Sequence, residues 1–273
     1  MGNNPIRVCI AGITGWTGSE IARAILKSDT LNLVGAVARR SAGLDIGDVL
    51  GTRKTGIGVA ATIEEALRLA GDSVDVVVDF TSPDSVKARA LACLSMGVRV
   101  VIGTSGLTGD DYAEIENKAR SANLGVIACG NFSITAALAK RFSLLAAEFL
   151  PSREIIDYAS AEKPDAPSGT TRELAEEMAK IAPNTILVPI EKTLGEINAR
   201  GAAVSGTQVH SIRQQGFMIS FESIFGLPDE RLTIRHDAGT GAKPYVNGTL
   251  LAIRKVMAMT GLVRGMDRLL FPD

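Results

Sequence analysis

Apolar and polar positions in the first half of the chain follow a repeated pattern: short apolar runs, each followed by a segment of helical period. Ile6–Ala11 (IRVCIA) is a short β-rich run of the kind that forms a strand buried on both faces. Residues 31–38 (LNLVGAVA), 74–80 (VDVVVDF), 98–103 (VRVVIG) and 124–129 (LGVIAC) repeat it. Between them, residues 19–28 place Ile21, Ala22, Ala24 and Ile25 at helical spacing, and residues 85–97 and 108–123 are further helix candidates. The last of these opens on Thr108 and acidic residues, as suits a helix start. Alternating strands and helices predict an α/β fold, a Rossmann-type parallel sheet with right-handed crossovers.

After about residue 131 the pattern changes. A helix candidate, Ile134–Phe149, is followed by extended residues 153–162, a loop KPDAPSG and a helix candidate at 170–182. Extended segments then follow one another at 210–216, 217–226 and 230–236, and residues 244–260 form a last long helix candidate. This order predicts an α+β second domain with a mixed or antiparallel sheet. No internal repeat, low-complexity segment or flexible linker is visible.

With 273 residues, 46% of them hydrophobic, the chain can bury two cores. Its formal net charge of -1 and 4% aromatic content argue against a nucleic-acid partner. No run approaches the ~18 apolar residues of a membrane span, and the N-terminal segment lacks the apolar centre of a signal peptide. No membrane association is therefore expected, and the cytoplasm is the default location. Cys9, Cys93 and Cys129 lie far apart in apolar stretches and read as reduced, buried thiols. His210 and His236 show no metal-ligand spacing, so no metal is expected.

Chemistry first appears at Gly12-Ile13-Thr14-Gly15-Trp16-Thr17-Gly18, a glycine-rich string between a strand and a helix. Glycines there permit a tight turn and close approach to a pyrophosphate, which the amides at the helix start then face. The second strand ends in Arg39 and Arg40, where NAD-preferring sites carry a carboxylate for the ribose hydroxyl. Guanidinium groups suit a 2′-phosphate, so NADPH is the favoured cofactor, with NADH left open. Farther along, Thr170 and Glu173 have capping-box spacing, so Ser168-Gly169-Thr170 is expected to enter a helix whose free amides accept a substrate carboxylate.

Several segments together resemble the dihydrodipicolinate reductase family: the glycine string, Val78-Asp79-Phe80-Thr81, Ile102-Gly103-Thr104-Ser105-Gly106, Gly130-Asn131-Phe132-Ser133 and, most specific, Lys163 to Thr170 (KPDAPSGT). The resemblance runs over nearly the whole chain. It implies a homotetramer of two-domain subunits: residues 1–132 with 240–273 bind NAD(P)H, and 133–239 bind a small carboxylate substrate and build the oligomer. It implies cofactor contacts from Gly12 to Gly18, from Arg39 and Arg40, and from Phe80 and Thr81. Gly103, Thr104 and Ser105 join these, with Cys129, Gly130, Asn131 and Phe132. For the substrate it implies Ser168, Gly169 and Thr170, with Lys163 as the catalytic residue.

The implied activity is hydride transfer to a conjugated cyclic imine dicarboxylate of lysine biosynthesis. Five positions depart from the family pattern. Its histidine pair, one thought to be the proton donor, is Ala159 and Ser160 here. A Glu-His pair is Ser220 and Phe221, and the arginine of the glycine string is Trp16. Asp157, Tyr158 and Glu162 are the candidate substitute donors. A reductase of a different small imine or unsaturated acid is the main alternative, and a non-catalytic NADPH-binding regulator the lesser one.

Overall fold

The computed structural model describes residues 4–71, 74–217, 219–239 and 241–272. In chain order its elements are β1 (Ile6–Ala11), α1 (Trp16–Ile25), β2 (Leu31–Val37), α2 (Ile46–Leu50), β3 (Val59–Ala60), α3 (Ile63–Leu69), β4 (Val76–Asp79), α4 (Pro83–Ser95), β5 (Arg99–Ile102), α5 (Gly109–Ser121) and β6 (Gly125–Ala128). There follow α6 (Ile134–Phe149), β7 (Ser152–Ala159), α7 (Gly169–Ile181), β8 (Ala202–Val204), β9 (Thr207–Arg213), β10 (Ile219–Leu227), β11 (Glu230–Ala238), α8 (Lys243–Val256), β12 (Gly261–Arg264) and α9 (Met266–Leu270). They form two compact units, Met1–Ile134 with Gly241–Asp273, and Thr135–Thr240.

The first unit holds a parallel sheet ordered β12-β6-β5-β4-β1-β2-β3. Its central strands β1, β4, β5 and β6 are mostly aliphatic because both faces are covered. Cys9, Val77, Val100 and Val126 pack under α3, α4 and α5. Val8, Ile10, Val76, Val101 and Ile127 are equally buried. On that side α1 packs on β1 and β2, and α8 on α1, β5 and β6. The long helix at the end of the chain thus belongs to the first unit. Thr108 does start a helix, through a reciprocal box: its Oγ1 accepts from the Asp111 amide at 3.2 Å, and Asp111 Oδ2 accepts from the Thr108 amide at 2.9 Å. This is the Rossmann-type fold that the alternating pattern predicts.

The second unit is α+β, with a mixed sheet ordered β11-β10-β7-β9-β8 in which only the β7–β9 pair is parallel. Alternation along these strands turns Ile155, Val209, Phe221 and Phe225 to one face, where α6 and α7 cover them with Leu144, Leu174 and Met178. The opposite face carries Ile156, Ile212 and Ile224 among polar side chains.

Candidate active site

The glycine string becomes a turn clamped onto β4. Gly12 adopts φ 90°, and a Cβ there would collide with the Phe80 carbonyl oxygen. A Cβ on Gly18 would collide with the Gly12 carbonyl oxygen, so the helix starts closely stacked on the turn. Helix α1 begins at Trp16, three residues earlier than its apolar spacing indicates, because Gly15 serves as N-cap. That cap has no side-chain acceptor and the first turn holds no acid. The amides of Trp16 and Thr17 have no partner among the described residues, and they sit at the positive end of the helix. Such an end fits an anion such as a pyrophosphate.

Beside it lies a cleft of about 310 Å³ at the carboxyl ends of β1, β4 and β5. It is lined by Gly15, Trp16, Thr17, Phe80, Thr81, Pro83, Gly103, Thr104 and Ser105. All but Pro83 are positions expected to meet the cofactor. Trp16 is 55% exposed, and its ring meets Tyr245 edge-on at 5.8 Å between centroids. Arg39 and Arg40 stand exposed on a single helical turn directly after β2, with no ion pair among the described residues. Thr14 is exposed on the loop, Gly130 is exposed, and the Asn131 side chain accepts from the Ser133 amide at 2.8 Å. Ile13, Gly18, Cys129 and Phe132 are buried, with Phe132 5.7 Å from the Phe80 ring. Of these, Phe132 packs against the Phe80 ring, which lines the cleft.

A buried network not visible in the spacing of residues sets the two threonines of the cleft. Asp79 accepts from Thr81 Oγ1 at 2.6 Å, Thr104 Oγ1 at 2.9 Å and Arg89 Nε at 2.5 Å. Thr104 Oγ1 in turn accepts from the Thr81 amide at 2.8 Å, and Thr81 Oγ1 from Arg89 Nη2 at 2.6 Å. Both hydroxyls are thereby engaged within the protein. Asp79 also neutralises Arg89, so the cleft's own pull on an anion comes from backbone amides.

In the second unit the loop between β7 and α7 carries the other expected residues. The Lys163 amide donates to the Ser160 carbonyl at 3.0 Å, and its Nζ lies 2.6 Å from Asp165 Oδ1. That bond from Lys163 holds the Asp165 carboxyl below its ordinary range. The capping box expected at Thr170 and Glu173 does not form. Helix α7 begins one residue earlier, at Gly169, with Ser168 as N-cap accepting from the Thr171 amide at 3.4 Å. Glu173 instead pairs with Lys140 at 2.8 Å. Ser168 wins as cap because Asp157 fixes it from across the fold, accepting from its amide at 2.8 Å and its hydroxyl at 2.7 Å. The Ser168 amide is therefore consumed, while those of Gly169 and Thr170 have no partner among the described residues.

The same bonds remove Asp157 from the candidate proton donors. It is 1% exposed and paired with Arg213 at 2.7 Å. Burial pushes its carboxyl up, but the hydrogen bonds from Arg213, Ser168 and Thr171 outweigh that and hold it below the ordinary range. It is an anion at neutral pH. Tyr158 alternates to the other face of the sheet, where its hydroxyl donates to Glu222 Oε2 at 3.3 Å; burial raises its pKa. Glu162 is exposed on the loop. Ala159 is fully buried, and Phe221 is built into the core beneath α6 and α7. Burial lowers the pKa of His236, whose ring lies 5.7 Å from that of Phe221.

Comparison with known proteins matches residues 6–132 to the family described as "Dihydrodipicolinate reductase, N-terminus" and residues 132–270 to "Dihydrodipicolinate reductase, C-terminus". A 4-hydroxy-tetrahydrodipicolinate reductase of Synechococcus elongatus is 38% identical, over 98% of this chain and 99% of its own length. One from Desulfitobacterium hafniense is 38% identical over 97% of this chain and 98% of its own. Among solved structures, a dipicolinate-bound dihydrodipicolinate reductase from Paenisporosarcina sp. TG-14 superposes with a TM-score of 0.86 at 30% identity, over 97% of this chain and 99% of that one.

Proposed function

Because this chain belongs to the dihydrodipicolinate reductase family, we propose that it reduces a conjugated cyclic imine dicarboxylate in lysine (diaminopimelate) biosynthesis, with NADPH as the preferred donor. It is an oxidoreductase that uses a nicotinamide cofactor. The observation that carries the substrate reading is the loop from Lys163 to Thr170, where an ammonium and two amides without a partner among the described residues stand on one short segment at the head of α7. That set suits a carboxylate. The bound nicotinamide supplies the hydride. The protein's part is to hold the dinucleotide at the head of α1, to bind the substrate carboxylate through Gly169, Thr170 and Lys163, and to provide a proton. With Asp157 an anion and Tyr158 on the far face, the Lys163 ammonium is the loop's candidate donor.

The test is NADPH oxidation by the purified protein against a panel of cyclic imine dicarboxylates and unsaturated monocarboxylic acids. Turnover of the dicarboxylates supports this reading. Turnover confined to another acid favours the alternative of a changed substrate, which the buried Ala159 and Phe221 make specific.

NADPH preference is read from Arg39 and Arg40, two exposed cations at the end of β2 with no carboxylate beside them on that turn. Arg39→Asp is expected to weaken NADPH binding by roughly tenfold or more, the effect of a lost hydrogen bond between charged groups, and NADH binding little. Equal losses for the two cofactors in calorimetric titrations would show that Arg39 does not read the 2′-phosphate.

The homotetramer is supported by the sheet face of the second unit that bears Ile156, Ile212 and Ile224, which α6 and α7 leave uncovered within that unit. A cytoplasmic setting is supported by Cys9 and Cys93, two buried thiols outside any disulfide. No described helix is long and apolar enough to cross a membrane.

A further inference from the structure

We propose that Arg213 is a positioning residue for the substrate loop: paired with Asp157, it fixes both ends of the segment that offers the Gly169 and Thr170 amides to a carboxylate. The proposal rests on the substrate reading above and adds a residue to it. Asp157 lies two residues before the end of β7, and Arg213 closes the parallel strand β9 in register with Ala159. The arginine therefore reaches back diagonally. Its Nη2 donates to Asp157 Oδ2 at 2.7 Å and to the Asp165 carbonyl at 2.7 Å, and Nη1 donates to the Asp157 carbonyl at 3.3 Å.

The partner carboxylate works on the other end of the loop. Asp157 Oδ2 accepts from the Ser168 amide, and Oδ1 from the hydroxyls of Ser168 and Thr171, the latter at 3.0 Å. One ion pair thus binds the loop at Asp165 and again at Ser168. Among the described residues, the backbone of residues 164–167 makes a single hydrogen bond to the rest of the unit, the one from Arg213. Lysine carries the same charge but lacks the fork that spans a carboxylate and a carbonyl together. Arg213 makes no contact with a substrate in this scheme; it acts through the loop.

Arg213→Lys and Arg213→Met test this in the full-length protein by three measurements. The first is amide hydrogen exchange at Ser168 and Thr171, which needs no substrate. The second is binding of dipicolinate, the compound carried by the related structure. The third is the KM and kcat of imine reduction beside the dissociation constant for NADPH. Faster exchange at Ser168 is expected in both variants. Dipicolinate binding and KM should worsen by about tenfold, the usual effect of losing one hydrogen bond to a charged group. NADPH affinity should be unchanged and kcat much less affected than KM. Wild-type exchange at Ser168 in a folded Arg213→Met protein overturns the proposal, and so does a loss shared equally by NADPH. If the wild type neither binds dipicolinate nor reduces any imine, the substrate reading fails, while exchange at Ser168 still decides whether Arg213 orders the loop.

Discussion

Replacing Lys163 by alanine is expected to lower kcat/KM for the imine by ~10²–10⁴, the range for a positioned proton donor, and to leave NADPH affinity unchanged. The lysine lies in a different unit from the glycine turn and the cleft beside α1. Its ammonium is engaged with Asp165 at 2.6 Å, in a pair that is solvent-exposed on the aspartate side and so worth little to stability. A substrate carboxylate can take the place of Asp165 at small cost. Alanine removes both the cation and the proton. The measurements are steady-state rates and calorimetric NADPH titration on the same preparation. If the NADPH dissociation constant rises in step with the loss of turnover, the lysine serves the dinucleotide, and the assignment is wrong.

Asp157→Ala is expected to cost roughly 3–5 kcal/mol of unfolding free energy, because it leaves Arg213 largely buried without its anion. Ser168 and Thr171 lose their acceptor at the same stroke. The pH dependence carries a sign. The Asp157 carboxyl is held below its unfolded value, ordinarily about 3.9 for an aspartate. Its contribution is fully present above that value and is lost as pH falls through the lower, folded one. Wild-type stability should therefore drop steeply below about pH 4, and the alanine variant should lack that part of the slope. Urea denaturation at pH 7 and in acid reads both. A cost below about 1 kcal/mol at neutral pH would mean that the pair contributes no more than an exposed one.

The frame of the fold was legible wherever one pattern ran long enough to have a period. β1 and α6 fall where the apolar spacing puts them, since each is buried by its own side chains. The region between β2 and β4 was not read: β3 has two residues and α3 seven, too few for any period to stand out. β12 was missed for the same reason, and it pairs with β6 through only four positions. The helix start at Ser168 was misplaced by a purely local rule. Thr170 and Glu173 have the right spacing, but a carboxylate eleven residues upstream, Asp157, decides the cap. The buried ion pairs of Asp79 with Arg89 and of Asp157 with Arg213 join positions that local spacing does not relate. The glycine turn, by contrast, was readable because glycine is required there by backbone geometry itself.

Trp16 is the chain's only tryptophan, and it stands in the lining of the cleft beside α1. All indole emission from this protein therefore originates at one known place. A reduced nicotinamide absorbs where an indole emits, whereas an oxidised one does not. Should the reduced dinucleotide settle in that cleft, the tryptophan's light would pass to it by resonance transfer and reappear as nicotinamide emission. The redox state of the bound cofactor would then be readable in real time from an unlabelled protein, with Trp16→Phe as the optical blank.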